Sequence, residues 1–275
     1  MSVLLILSTG NFIKVKGESM VLAILQARSS SKRLPGKVLK PILGKPMLQL
    51  QIERIKRSKY IDRIVVATSD SADDVLIHDL CSHLGISCYQ GSLDDVLDRF
   101  YQCAKMQPGN QHIMRLTGDC PLIDPGFLDI LINFYQSGAY DYASNSLQPS
   151  LPDGLDAEIF SFSALEQAWK NARLKSEREH VTPYIYRQGG EFNVGIFRVP
   201  IDLSWMRWTV DEPEDFFFVE RVYQSLYPLN PEFTTTDVLK LLYRNYEMVS
   251  SDARFVRNQG YVSSLEKDIA DESKI

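Results

Sequence analysis

Uninterrupted apolar runs that give way to helix-period segments restrict the fold of this chain more than any other feature. Val21-Leu-Ala-Ile-Leu25 and Ile64-Val-Val-Ala67 carry no polar residue on either face, as expected of strands in a parallel sheet covered on both sides. After the first, Pro46 stands at a helix start and Leu48, Ile52 and Ile55 recur at helical spacing. After the second, the pattern predicts a helix over 73–84, a short strand over 86–89 and a helix over 92–106 with Val96, Leu97, Phe100, Tyr101 and Ala104 on one face. A strand over 112–117 then delivers Gly118-Asp-Cys-Pro-Leu-Ile-Asp124, and Asp124-Pro125 opens a helix carrying Phe127, Leu128 and Leu131. Alternation of this kind through residue 136 predicts an open, mainly parallel α/β sheet. In such sheets ligands bind beyond the carboxyl ends of the strands.

The second half is less regular. Strands are expected over 140–144, at the end of 151–160, over 192–199 and over 207–211. Helices are expected over 162–172, over 177–187, from Pro213 onward and over 234–246. The chain reads as one domain over 20–250, with an excursion at about 140–205 that covers the site or builds a dimer. Residues 1–19 read as an extension with no assigned role; 251–275 read as a polar tail whose end, 263–275, frays.

The first strand leads into Arg28-Ser-Ser-Ser-Lys-Arg-Leu-Pro-Gly-Lys37. Small residues with accessible backbone N–H groups, interleaved with cations, form a plausible phosphate cradle. Arginine offers paired donors and lysine a mobile point charge, so the mixture suits a triphosphate. Lys32 reads as a solvated neighbour. The loop is neither GxGxxG nor GxxxxGK[ST], which disfavours a dinucleotide-binding dehydrogenase and a P-loop ATPase. No Ser/His/Asp or Cys/His nucleophile has a supporting context.

The net charge of -5 argues against nucleic-acid binding by bulk electrostatics. Cys81, Cys88, Cys103 and Cys120 show no CxxC spacing, which predicts a reduced, cytoplasmic protein without structural zinc. Val3–Leu7 is too short to span a membrane and lacks a basic flank. Asp119 and Asp211 each follow a predicted strand. Two carboxylates meeting at a sheet edge are hard ligands for Mg2+ beside a triphosphate, although either could simply cap a turn. Asp215, one helical turn further on, fits a supporting base, a ligand or a first-turn helix acid. His78, His83 and His112 have no motif around them, and Phe216-Phe-Phe218 continues an apolar helix face.

Gln26-Ala-Arg-Ser-Ser-Ser-Lys-Arg-Leu-Pro-Gly-Lys37 resembles the signature of sugar-acid cytidylyltransferases. The likeness is to the spore coat polysaccharide biosynthesis F type, related to CMP-Kdo synthetase and CMP-sialic acid synthetase. Four more stretches agree in order, Leu116-Thr-Gly-Asp-Cys-Pro-Leu-Ile-Asp124, Pro152-Asp-Gly-Leu-Asp-Ala-Glu158, Glu177-Arg-Glu-His-Val-Thr-Pro-Tyr184 and Arg207-Trp-Thr-Val-Asp-Glu-Pro-Glu-Asp215. The resemblance implies a Rossmann-like, glycosyltransferase-A-type nucleotidyltransferase fold, with a mixed, mainly parallel sheet flanked by helices. It implies Mg2+-dependent transfer of CMP from CTP to a sugar or sugar acid, release of pyrophosphate, a role in surface polysaccharide synthesis and a homodimer.

The resemblance also assigns residues. Gln26, Ala27, Arg28, Ser29, Arg33, Lys37 and Asp119 would hold the nucleotide. Asp119 and Asp211 would hold the metal, and Arg33, Lys37, Asp119 and Asp211 would carry the chemistry. Asp153, Asp156, Glu158, Arg178, His180, Asn193 and Asp215 would face the acceptor. Alternation along Asp156-Ala-Glu158 would put both carboxylates on one strand face, facing either hydroxyl and amino groups or solvent. Arg178 suits an acceptor carboxylate or phosphate. His180 suits an acceptor hydrogen bond or a packed position. The distinctive Pro152–Glu158 segment leaves the acceptor itself open. The rival readings are a glycosyltransferase using a preformed nucleotide sugar and a noncatalytic nucleotide-sugar-binding subunit.

Overall fold

Successive side chains of a strand point to opposite faces, so a wholly apolar strand must serve two cores. In the computed structural model, which describes residues 20–107, 109–248 and 257–272, the first strand does this. In chain order the strands are β1 (Met20–Gln26), β2 (Pro41–Ile42), β3 (Lys45–Pro46), β4 (Arg63–Ser69), β5 (Ser87–Gly91), β6 (Asn110–Thr117), β7 (Tyr142–Ser144), β8 (Glu158–Ser161) and β9 (Val194–Ile196). The helices are α1 (Met47–Ile55), α2 (Val75–His83), α3 (Val96–Lys105), α4 (Pro125–Ser137), α5 (Phe162–Asn171), α6 (Lys175–His180), α7 (Pro183–Arg187), α8 (Pro213–Leu226), α9 (Thr235–Arg244) and α10 (Gln259–Glu272).

Val21, Ala23 and Leu25 of β1 join one core with Leu48 and Ile52 of α1, Leu128 and Leu131 of α4, and Val219 and Val222 of α8. Leu22 and Ile24 join the other with Leu97 and Phe100 of α3 and Ala164 and Leu165 of α5. The sheet between these layers has seven strands in the order β5-β4-β1-β6-β8-β7-β9. Strands β1, β4, β5 and β6 are parallel, β8 runs antiparallel to β6 and β7, and β9 lies parallel to β7. The expected mixed, mainly parallel sheet with helices on both faces is therefore present. Chain order reverses between β1 and β6. Their register sets Gln26 opposite Thr117, so both chains leave the sheet side by side at its carboxyl edge. That is the switch point at which open α/β sheets make a crevice.

Several expected elements differ. The helix expected over 92–106 begins at Val96, because Asp95 caps it by accepting from the Asp98 N–H at 2.9 Å. The helix expected over 177–187 is two helices. Val181 takes the left-handed conformation at φ 73°, and Pro183 starts α7, so the turn between them cannot remain helical. The 192–199 strand shrinks to β9. Residues 207–211, expected as a strand, make only one bridge, between Arg207 and Asp153. They are threaded between loops: the Trp208 N–H donates to the Asp153 carbonyl at 2.6 Å, and the Val210 N–H donates to the Asp119 carbonyl at 2.8 Å. Residues 263–272, expected to fray, belong to α10; 273–275, the 1–19 extension and 249–256 lie outside the described residues. Among the described residues no helix is long and apolar enough to cross a membrane.

The threaded segment depends on Gly154, at φ 108°. A Cβ there would lie 2.5 Å from the Thr209 nitrogen and the Trp208 carbonyl carbon. Left-handed strain and overpacking together make Gly154→Ala cost about 2–5 kcal/mol. Gly36→Ala, at φ 66° with nothing within 4 Å, carries only the strain, about 1–2 kcal/mol. Chemical denaturation of the two variants beside the parent checks the ordering.

Candidate active site

The loop leaving β1 is shaped by backbone bonds rather than by its charges. The Gly36 N–H donates to the Ser29 carbonyl at 3.0 Å, closing the loop on itself. The Ser29 N–H donates to Asp74 Oδ1 at 2.6 Å. Gly36 supplies the left-handed turn that starts a short 3-10 helix over Lys37–Leu39, which aims Lys37 back across the end of the sheet.

There the Lys37 ammonium meets both predicted carboxylates. Its Nζ donates to Asp119 Oδ2 at 3.2 Å, to Asp211 Oδ1 at 2.9 Å and to the Val210 carbonyl at 2.7 Å. Burial would lower the Lys37 pKa, but the Asp119 and Asp211 charges outweigh it and hold it above its ordinary value. Burial likewise pushes the Asp119 carboxyl up. The Lys37 charge and the Thr117 hydroxyl outweigh that effect and hold it down at about 2. Arg33 reaches the same place from the mouth, 3.0 Å from Asp211 Oδ1 and 3.2 Å from Glu212 Oε1. The four residues expected to carry the chemistry are thus in one constellation.

They line a cleft of about 960 Å³ together with Gln26, Ala27, Arg28, Asp153, Asp156, Glu158 and His180. Two carboxylates that share one ammonium also suit a hard divalent cation, which commonly takes one or two protein carboxylates and completes its shell with water and phosphate oxygens. Among the described residues no cluster of three or more His, Cys, Asp or Glu could hold a metal by itself. Asp119 and Asp211, which meet on one ammonium, are the residues that could hold such a cation beside a phosphate ligand.

The remaining carboxylates of the lining are matched by arginines. Glu158 pairs with Arg115 and accepts from the Tyr142 and Thr182 hydroxyls, each at 2.6 Å. Asp153 lies 3.3 Å from Arg207, and Asp156 pairs with Arg257. The expected shared strand face is not what joins Asp156 to Glu158. Strand β8 starts at Glu158, and Asp156 comes from the loop before it. His180 Nε2 lies 3.1 Å from Ser264 Oγ, and its ring is edge-on to Tyr261 with centroids 5.0 Å apart. Burial and the Arg115 charge hold its pKa below the ordinary histidine value.

Four expected site residues fall outside the lining. Ser29 sits behind the wall, tied through its N–H to Asp74. Arg178 turns to α3 and α5, donating from Nε to Asp95 Oδ2 at 3.0 Å and from Nη1 to the Trp169 carbonyl at 2.9 Å. Asn193 is exposed at the far edge of the sheet, and its Nδ2 donates to the Ala139 carbonyl at 3.1 Å. Asp215 is buried and acts through others. It accepts from Arg207 Nε at 2.8 Å and from the Asp211 and Glu212 N–H groups at 2.9 Å each, which fixes the backbone beneath Asp211.

The sequence reading passed over Arg115, Arg207 and Arg257, all of which line the cleft, and it took Lys32, which also lines it, for a solvated neighbour. Arg115 could have been found from its place two residues before the end of the predicted 112–117 strand. Arg207 stands at the head of a quoted motif. Arg257 had no local signal.

Burial and the adjacent Asp156 push the Asp153 carboxyl up to about 7, against the pull of Arg257 and Arg207. A carboxyl whose folded pKa exceeds its unfolded value binds more protons in the folded state over that interval, so its contribution to stability falls as pH rises from about 4 to about 7. Asp153→Asn removes this dependence. Its stability relative to the parent should shift in its favour between pH 5 and pH 8, as urea midpoints at the two pH values would show.

A family model described as cytidylyltransferase matches residues 22–230. An uncharacterized protein of Methanocaldococcus jannaschii is 41% identical over 198 residues, 71% of this chain and 80% of that one. The spore coat polysaccharide biosynthesis protein SpsF of Bacillus subtilis is 32% identical over 234 residues, 82% of this chain and 95% of that one. The solved structure of a cytidylyltransferase from Leptospira borgpetersenii matches with a TM-score of 0.79 at 32% identity, covering 88% of this chain and 98% of that one. With a cleft at the switch point of this sheet and the basic loop beside it, the chain belongs to the cytidylyltransferase family, enzymes that use CTP as the source of CMP.

Proposed function

We propose that this enzyme transfers CMP from CTP to a hydroxyl of a sugar or sugar-acid acceptor, with Mg2+ and with release of pyrophosphate, in surface polysaccharide synthesis. The observation that carries this reading is the convergence of Arg33, Lys37, Asp119 and Asp211 at one end of the cleft. The reading extends to a cytoplasmic homodimer, as the sequence resemblance implies.

In the reaction, the acceptor oxygen bonds to the α-phosphorus while the bond from that phosphorus to the bridging oxygen breaks. The electron pair leaves with pyrophosphate, and the hydroxyl proton passes to solvent. Charge builds on the bridging oxygen and the departing group, so placement and charge compensation do most of the work. Lys37 stands where a fixed cation can meet that charge, and Arg33, at 44% side-chain exposure, is free to swing onto the outer phosphates. Asp119 and Asp211 would hold Mg2+, whose charge would polarise the α-phosphoryl oxygen. Gln26, Ala27 and Arg28 flank the nucleoside end, with Ser29 shaping the loop from behind. Asp153, Asp156, Glu158 and His180 face the acceptor, and Asp215 holds Arg207 and the backbone of Asp211 for them.

Pyrophosphate release, measured with Mg2+ and each nucleoside triphosphate against sugar acids and amino sugars, tests the reading, with mass detection of the product. A CMP-linked product from CTP is expected. Asp119→Ala, Asp211→Ala and Lys37→Ala should each lower kcat/KM by about 10²-fold or more, as loss of a preorganised charge does elsewhere. Arg33→Ala should act mainly through a higher KM for CTP. Turnover of an intact nucleotide sugar without pyrophosphate would select the glycosyltransferase instead.

A further inference from the structure

The family match ends at residue 230, yet the cleft does not. Arg257, Asn258, Gln259, Gly260 and Tyr261 form part of its lining, at the end where Asp153 and Asp156 sit. Besides the His180 contacts with Ser264 and Tyr261, helix α10 is moored to α6 by polar contacts along its length. The Ser176 N–H donates to Asp268 Oδ2 at 3.2 Å, Lys175 pairs with Asp271 at 2.6 Å, and the Ser264 hydroxyl donates to Glu179 Oε2 at 2.8 Å. At its head, Arg257 donates from Nη1 to the Leu151 carbonyl at 3.0 Å and from Nη2 to Asp156, and its Nε lies 3.9 Å from Asp153 Oδ1. Its side chain is 15% exposed, so these charges meet in a partly desolvated place.

Charge accounting at this end singles Arg257 out. Glu158 has Arg115 to itself. Arg207 is shared among Asp153, Asp211 and Asp215, whereas Asp156 pairs with Arg257. Without Arg257, Asp156 would lose the guanidinium it pairs with, and its charge would be left bare beside Asp153. An anionic acceptor would then be repelled and an aminated one attracted.

We propose that Arg257 is the specificity-determining residue for acceptor charge, and that by offsetting the Asp156 charge it lessens the repulsion of a sugar carrying a carboxylate. The inference rests on the cytidylyltransferase reading for its choice of site, and it assigns acceptor selection to a segment beyond the stretch that the family model matches.

The test is equilibrium binding to the full chain, with Mg2+ and a nonhydrolysable CTP analogue present. The probes are a 3-deoxy sugar acid and its uncharged carboxamide. The parent should bind both probes. Arg257→Gln should lower the acid-to-amide affinity ratio at least tenfold with CTP-analogue affinity unchanged, and Arg257→Lys should restore most of it. Adding Asp156→Asn to Arg257→Gln should also restore the ratio, because it removes the charge left bare. A merely structural role for Arg257 would not produce that rescue. An unchanged ratio in Arg257→Gln overturns the proposal, as does failure of the acid to bind while the CTP analogue binds. Failure of the parent to bind the CTP analogue would instead overturn the reading on which both rest.

Discussion

One ammonium group between two carboxylates ties this molecule together. Lys37 comes from the loop after β1, Asp119 from the turn after β6 and Asp211 from a segment more than ninety residues further along the chain. Bringing three such groups into a half-buried place costs desolvation that their attraction scarcely offsets, so the arrangement adds little to stability. Its value lies in what it holds ready. Two hard oxygen ligands and a cation stand where a triphosphate would lie, and each already has a partner of opposite charge.

The rest of the architecture makes that meeting possible. Strand order reverses between β1 and β6, which sets Gln26 beside Thr117 and opens the crevice. Gly154 lets the 207–211 segment pass close enough for the Val210 N–H to bond the Asp119 carbonyl. Asp215 then gathers Arg207 and the Asp211 backbone, so a residue with no place in the cleft wall decides where Asp211 points. Asp153, Asp156 and Glu158 follow the same logic, each carboxylate matched to an arginine drawn from another part of the chain.

Much of this was legible in the residues. The parallel sheet, the order of its first helices and the basic loop follow from apolar runs, a helical period and a cluster of cations, which are local signals. Asp119 and Asp211 could be named because each stands in a short, recognisable stretch. The sequence reading was poorer where one residue's role depends on a distant partner. Arg178 looked free to bind an acceptor, but Asp95 and the Trp169 carbonyl occupy it. Asn193 lies just before β9, exposed at the far edge of the sheet, with its side chain on the Ala139 carbonyl.

The sequence by itself determined the α/β class, the basic loop after the first strand and the cast of charged residues, because strand burial and loop chemistry are written in neighbouring positions. Only the tertiary structure decided which charges meet. It made 207–211 a threaded segment rather than a strand, set Asp215 behind the site, and brought Arg257 from the end of the chain to Asp156. Pairing between residues a hundred positions apart is set by packing and by the balance of desolvation against attraction, and neither leaves a periodic trace in the sequence.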